Sequence, residues 1–572
     1  MVRQTATVIT LELLGGVLLL AVAAIVILAF MLAQGPVELN IFKNDVERAL
    51  EEARSGRDVE IETLTLQWSP SDRRMIVSAN NLSLADDDGN IAAEASQALI
   101  TLDAGSLFFG ETSIIRTELR DGWVDVRNVT PTLWTFAGEP LPEFEARELP
   151  QSVDGWLALF NRVLGDVLAG VEVTRTEGTL EAAAFERMDL RFHTADDELF
   201  AEMSDASGAL ERNENGLKVA LSGSGAGLGL PGDVRAELLV PETYQSLSLE
   251  LDVYDWSVGD LADRLGMFGE RISGFPADIQ AVAHYRAEQG LSTVQLNANA
   301  GEGQVLITGR PQDVETLAFE TVYDTETDAL KIEELDIKSR RLTGQWSGII
   351  AQPTSEESVS EFSLRSNAVA LDLTPYFPVA WDLTDIELKG ALNFVDHTAN
   401  IEAFSLNAGE ASFKGNADIQ SRADAEEGNL PFAIQLNSEM EGVLDKSRVL
   451  DFWPAKLSPS ARKFARERIE SARATAASVA LDLKPDSILD GYVRDEDIEV
   501  RFFVEDARVK FMDDLPPVTD GIGSARLTGN GFSVQLNSGE YGGWPISEGS
   551  VTIPRFDADK DMLRIYAKGA GP

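Results

Sequence analysis

The chain has 572 residues, 44% of them hydrophobic, with 95 acidic against 48 basic residues and a net charge of −47. That apolar content suits packed cores and argues against global disorder. The acidic balance argues against nucleic acid as a partner, since binding it relies on a basic footprint, and the absence of cysteine excludes disulfides, zinc thiolate sites, iron–sulfur clusters and thiol catalysis.

The first element is LLGGVLLLAVAAIVILAFMLA, residues 13–33, without one charged side chain. At ~1.5 Å per residue such a helix spans roughly 30 Å, the thickness of a bilayer's hydrocarbon core. A secretory signal is the rival reading, but its apolar core is usually only about 7–15 residues long. We therefore expect an uncleaved transmembrane helix. The α-amino group and Arg3 favour a cytoplasmic N-terminus over residues 1–12, which places the bulk of the chain across the membrane. A cysteine-free chain in that position suits a bacterial envelope.

KNDVERALEEARSG follows and reads as a short helix, with Asn44 as N-cap, Val46, Leu50 and Ala53 on one face, and Gly56 as the stop. The period then changes to two. In VEIETLTLQW, Val59 and Ile61 alternate with acids, and the phase slips by one so that Leu64, Leu66 and Trp68 continue the apolar set. Such a slip predicts a β-bulge. Asp87-Asp88-Gly89-Asn90 reads as the turn before the next strand.

The alternation recurs to the end of the chain, in RTELRDGWVDVRN, QSLSLELDVYDW, LSTVQLNANAGEGQVLITGR, DIELKGALNFVDHTANIEAFSLNAGEASFKGNADI and GFSVQLNSGEYGGWPISEGSVTIP among others. This is the pattern of a long antiparallel meander. Helical patterns interrupt it at 152–170, 257–266 and 458–477, the last with Ser458 as N-cap and Pro459 at the first helical position. Each strand has one apolar and one polar face, and the helices are too few to cover so many strands. Two solutions stay open: a sandwich with a packed core, or a sheet curled into a trough whose exposed apolar face binds something apolar.

No catalytic constellation stands out. His193, His284 and His397 lie far apart and lack a metal-binding spacing. The SGSGAGLG run at 222–229 fits neither a dinucleotide fingerprint nor a phosphate loop, and Asp86-Asp87-Asp88-Gly89 lacks the spaced ligands of a calcium site. We expect no enzyme, cofactor or metal.

QGPVELNIFKNDVERAL, directly after a lone membrane segment, resembles the AsmA-like proteins of Gram-negative envelopes, specifically the YhdP/TamB group. LADDDGNIAAEASQALITLDAGSLFFGETSIIRTELRDGWVDV resembles their N-terminal module, FWPAKLSPSARKFARERIESARAT a Trp-Pro-helix element, and DLPPVTDGIGSARLTGNGFSVQLNSGEYGGWPISEGSVTI the strand repeat after it. The resemblance implies a mainly β fold: an N-terminal transmembrane helix, then an elongated antiparallel β-sheet curled into an open apolar groove, with a few short helices. It implies an N-terminal module at 35–145, groove repeats with helical insertions at 146–450, the Trp-Pro-helix element at 451–480 and further repeats at 481–572. Members of this kind are longer and the sequence reads as stopping in mid-repeat at AKGAGP, which leaves two readings open: a fragment, or a short member that does not span the periplasm alone.

The function so implied is bridge-like lipid transfer in the periplasm from an inner-membrane anchor, with phospholipid as cargo and the outer membrane or an envelope protein as a further partner. The alternative is a scaffold for outer-membrane proteins that acts by strand addition. The expected groove lining comprises Leu64, Leu66, Trp68, Ile100, Leu102, Val124, Val126, Leu392, Phe394, Phe404, Leu406, Val534 and Leu536; a closed core would use the same positions. Arg462, Lys463, Arg466, Arg468 and Arg473 crowd one predicted helix, where guanidinium groups could meet phosphate headgroups or a partner, or simply pair with neighbouring acids such as Glu467 and Glu470.

Overall fold

The computed structural model describes residues 35–69, 74–103, 114–130, 133–141, 153–177, 181–194, 198–225, 232–260, 272–307, 310–351, 359–393, 396–421, 432–454, 459–485, 487, 493–511, 513–555 and 564–569. The expected membrane segment at 13–33 lies outside them. Among the described residues no helix is long and apolar enough to cross a membrane. The fold is mainly β and antiparallel, with few helices, and it divides into two compact units. One comprises residues up to 267 with 277–292, the other 268–276 with 293–572.

The first unit carries β1 (Val37–Glu38), β2 (Val59–Ser69), β3 (Arg74–Ala85), β4 (Ile91–Asp103), β5 (Ile114–Thr130), β6 (Leu133–Phe136), β7 (Glu139–Pro140), β8 (Ala182–His193), β9 (Leu199–Asn213), β10 (Gly216–Ser224), β11 (Asp233–Pro241), β12 (Ser246–Ser257) and most of the strand Pro276–Arg286. Neighbours along β1–β5 and β8–β12 pair antiparallel. The exception is β5 with β8, which are parallel. A parallel pair needs a long crossover, and here it holds the β6–β7 hairpin and a 25-residue helix.

Two helices of this unit close parts of the apolar face. Helix α1 (Lys43–Ala53) packs Val46 and Leu50 onto Val59, Ile61, Leu64, Ala79, Leu82 and Ala98. Its N-cap is Phe42 rather than the expected Asn44. The strand-bound turn before it starts the helix two residues early, and no side chain caps it. Gly56 ends it as expected, at φ +91° and with its N–H on Glu51 O at 2.7 Å. Helix α2 (Val153–Glu177) starts as predicted but runs past Gly170. It buries Leu164 and Leu168, and Asn161 Oδ1 accepts from the backbone N–H of Leu291 at 2.8 Å.

The phase slip in β2 is present: Val59, Ile61, Leu64 and Leu66 are all buried. A one-sided bulge would shift the pairing with β3, yet the register is continuous from Val59–Leu84 to Ser69–Arg74. The neighbours slip in step instead. Asn81 on β3, Asp121 on β5 and Arg187 on β8 all sit at φ 51–53°, and the flanking pairs put them on one line across the sheet with Glu62 and Ser96. This shared crease keeps each strand's apolar set on one face. Arg187 grips Asp121 along it at 2.6 and 2.9 Å. The expected turn also forms, with Asp86 Oδ1 accepting from the N–H groups of Asp88 and Asn90 and Gly89 at φ +81°.

In chain order the remaining strands are β13 (Ile272–Gly274), β14 (Pro276–Arg286, the strand already placed in the first unit), β15 (Gly290–Ala300, divided between the units), β16 (Gly303–Ile307), β17 (Arg310–Asp324), β18 (Ala329–Ser339), β19 (Leu342–Ala351), β20 (Val359–Leu371) and β21 (Trp381–Asn393). Then come β22 (Thr398–Ala408), β23 (Ala411–Ser421), β24 (Phe432–Asp445), β25 (Ile469–Leu483), β26 (Ile498–Val509), β27 (Val518–Thr528), β28 (Phe532–Tyr541), β29 (Trp544–Ile553) and β30 (Arg564–Gly569). From β17 to β30 every successive pair is antiparallel, the meander predicted from alternation.

Helix α3 (Lys446–Asp451), not foreseen, and helix α4 (Pro459–Arg468) lie between β24 and β25. The predicted helix to Ala477 stops at Arg468, because Ile469–Leu483 is strand. The alanine-rich stretch has a strong helical preference, but pairing on both sides with β24 and β26 outweighs a preference of a few tenths of a kcal/mol per residue. Ser458 and residues 261–266 of the helix expected at 257–266 lie outside the described residues.

Candidate functional site

Directly paired residues of an antiparallel sheet share a face, so the register of β25–β30 predicts rows of neighbours. One row runs Ala474, Val504, Gly523, Leu536, Gly549 and Ala567. The next runs Phe502, Ala525, Val534, Val551 and Ile565. All of these side chains border one cavity of about 170 Å³. The face is concave enough for six successive strands to line a single space. Small and large residues alternate along the first row from Ala474 to Gly549, and Leu536 stands between two glycines. A Cβ on Gly523 would lie 2.3 Å from the carbonyl oxygen of Gln535, so no side chain fits there.

Helices α3 and α4 form the opposite wall with Val449, Leu450, Trp453, Ala461 and Phe464. Asp445 caps α3, its carboxylate accepting from the N–H of Arg448 at 2.9 Å and the hydroxyl of Ser447 at 2.6 Å. These two contacts, the hydroxyl first, hold the Asp445 carboxyl below its ordinary pKa. The helices then tie each other down. Lys446 of α3 donates to the carbonyls of Arg466 and Ile469 at the end of α4, and Arg462 of α4 donates to Leu450 O at 3.0 Å and Trp453 O at 3.4 Å. Lys446 therefore lends the cavity its aliphatic stem while its ammonium serves the helix end. Beside the cavity, Phe452 packs against Trp381 and Phe413 at ring distances of 5.0 and 5.7 Å.

The structure brings Val534 and Leu536 into this cavity and distributes the other expected lining residues elsewhere. Leu64 and Val124 sit in packed cores, Leu64 beneath α1 and Val124 with Ala93, Ala95, Ala137 and Met188; Leu66 is buried as well. Trp68, Ile100, Leu102 and Val126 are half-buried on the same sheet, with Leu102 opposite Met75 and Met75 opposite Trp68. Leu392, Phe404 and Leu406 are half-buried on β21 and β22, Leu406 against the core of Val369, Leu383, Ile386 and Ala408. Phe394 lies outside the described residues.

The basic cluster is not one helix face. Arg473 is on β25, bound to Asp506 at 2.5 Å. Arg468 pairs with Asp513 at 2.8 Å and Arg466 with Glu467 at 3.1 Å, while Arg462 holds backbone carbonyls. Lys463 is exposed. What sequence reasoning missed are the residues that build the far wall: Trp453 and Phe464 sit in quoted motifs, but only tertiary contact shows that they face β25–β29. Among the described residues no group of His, Cys, Asp or Glu could hold a metal ion.

No curated protein and no solved structure matches the chain. A protein-family comparison does match: the family described as YhdP protein covers residues 325–572, the segment that contains the whole cavity and both of its helices. This match is consistent with an AsmA-like protein of the YhdP/TamB group.

Proposed function

We propose that the chain is a periplasmic lipid-transfer protein, anchored in the inner membrane through residues 13–33, that shields phospholipid acyl chains along its apolar sheet face on the way to the outer membrane. The observation that carries this reading is the cavity under α3 and α4, lined by apolar side chains from six successive strands. Such a space suits a hydrocarbon chain, which asks for contact area and no hydrogen-bond partner. Burial is worth ~0.8 kcal/mol per CH₂. A chain sliding along a face of repeated Val, Leu, Ala and Gly exchanges one such contact for an equal one, so movement needs no catalytic group. The headgroup stays in water, and the mechanism is passive. The match of residues 325–572 to the YhdP family supports the same reading.

The test is photo-crosslinking in living cells, with a benzophenone side chain at Val534 or Leu536 and the exposed Gln535 between them as the opposite-face control. Phospholipid adducts at the first two positions and not at Gln535 are expected. Absence of lipid at all three sinks the proposal and makes the scaffold reading, strand addition to outer-membrane proteins, the leading one.

A further inference from the structure

The turn before α1 holds two large apolar side chains in solvent. It consists of Leu39 and a single 3₁₀ turn, Asn40–Phe42. Leu39 turns inward onto the core beneath α1, whereas Ile41 is 91% and Phe42 55% exposed. The outward pose is fixed by the sheet. Leu39 N donates to Leu64 O at 2.7 Å, Leu64 N donates to the Asn40 side chain at 3.0 Å, and Phe42 N closes the turn on Leu39 O at 2.8 Å. A turn pinned three times to β2 and its own carbonyl cannot fold these side chains under α1. Their exposure is built in.

Where this turn lies in the chain says what it meets. Val37 is already paired with Leu66 of β2. The uncharged 13–33 segment ends at Ala33, four residues earlier. Four extended residues reach at most about 14 Å, and the pinned turn begins two residues after Val37. If residues 13–33 cross the membrane, Ile41 and Phe42 are therefore held beside the bilayer surface on its far side. Apolar and aromatic side chains at that level gain by entering the boundary between headgroups and acyl chains.

We infer that Ile41 and Phe42 form a membrane-interface foot, inserted into the outer leaflet of the anchoring bilayer, which fixes how the first β module stands on the membrane. The inference rests on the reading of residues 13–33 as the anchor. It does not depend on lipid passing through the cavity.

The absence of cysteine makes the experiment clean, because a single introduced thiol is the one site of labelling. The full chain is reconstituted into vesicles of phosphatidylethanolamine and phosphatidylglycerol containing lipids brominated at defined acyl depths. A polarity-sensitive fluorophore is placed at Ile41→Cys, Phe42→Cys, Ala23→Cys or, in the exposed β3–β4 turn, Asp88→Cys. Expected are deep quenching at position 23, shallow quenching with blue-shifted emission at 41 and 42, and none at 88. Deep quenching at 23 with water-like, unquenched emission at 41 and 42 overturns the foot and leaves the anchor standing. No quenching at 23 overturns the anchor, and the foot with it.

Discussion

Gly549 shows how much of the cavity depends on a missing side chain. It lies on β29 opposite Leu536 and Ala567, with ordinary strand φ. A Cβ there would meet Tyr566 O at 3.3 Å and Leu536 Cβ at 3.4 Å, close but bearable after a shift of a few tenths of an ångström. Gly549→Val should therefore fold, with higher strand propensity than glycine, and fill part of the ~170 Å³. We expect an unchanged or slightly raised melting temperature together with loss of lipid adducts at Leu536. Wild-type adduct levels in a folded Gly549→Val protein would mean that lipid does not occupy this space. Gly523 offers the contrast: its built Cβ collides with backbone at 2.3 Å, so substitution there reports folding rather than binding.

At the scale of elements, α3 depends on its cap. The Asp445 carboxylate meets the N–H of Arg448 and the hydroxyl of Ser447, and through α3 it positions Val449, Leu450 and Trp453 on the cavity. Asp445→Ala should cost ~1 kcal/mol and Asp445→Asn much less. Because its folded-state pKa is lowered, the stabilisation is complete above the ordinary aspartate pKa of about 3.9 and is lost as pH falls through the depressed value. The stability gap between wild type and Asp445→Ala, measured by denaturant unfolding, should be constant near neutrality and shrink in acid; a gap that widens in acid would contradict the assignment.

The same elements show what could be read from residues alone. Alternation in VEIETLTLQW or GFSVQLNSGEY located strands well, because one face is buried and the period is two. The slip at Glu62 was visible, but its continuation through Asn81, Asp121 and Arg187 was not, since a crease belongs to the neighbours that share it. IESARATAASVALDL misled for a related reason: alanine favours helix locally, and only the partners β24 and β26 make it a strand. The open-or-closed question for Leu64 and Leu406 turned on which helix or strand covers each, and alternation is silent on cover.

For the whole molecule, net charge sets the solution behaviour. With 95 carboxylates and 48 cations, a full pairing would still leave 47 acids in excess. Many cations are already committed, as in Arg187 with Asp121, Arg473 with Asp506 and Lys338 with Glu315. Exposed pairs of this kind are worth little, about 0–1 kcal/mol, whereas the surplus charge repels itself throughout the folded state. Screening weakens both, but the repulsion is the more numerous and longer-ranged contribution. The Debye length falls from ~30 Å at 0.01 M to ~3 Å at 1 M salt, well below the separation of most surplus acids and close to the length of one ion pair. The melting temperature should therefore rise with sodium chloride, most steeply at the low end of that range. A melting temperature that falls as salt is added would show instead that the ion pairs outweigh the repulsion and hold the fold together.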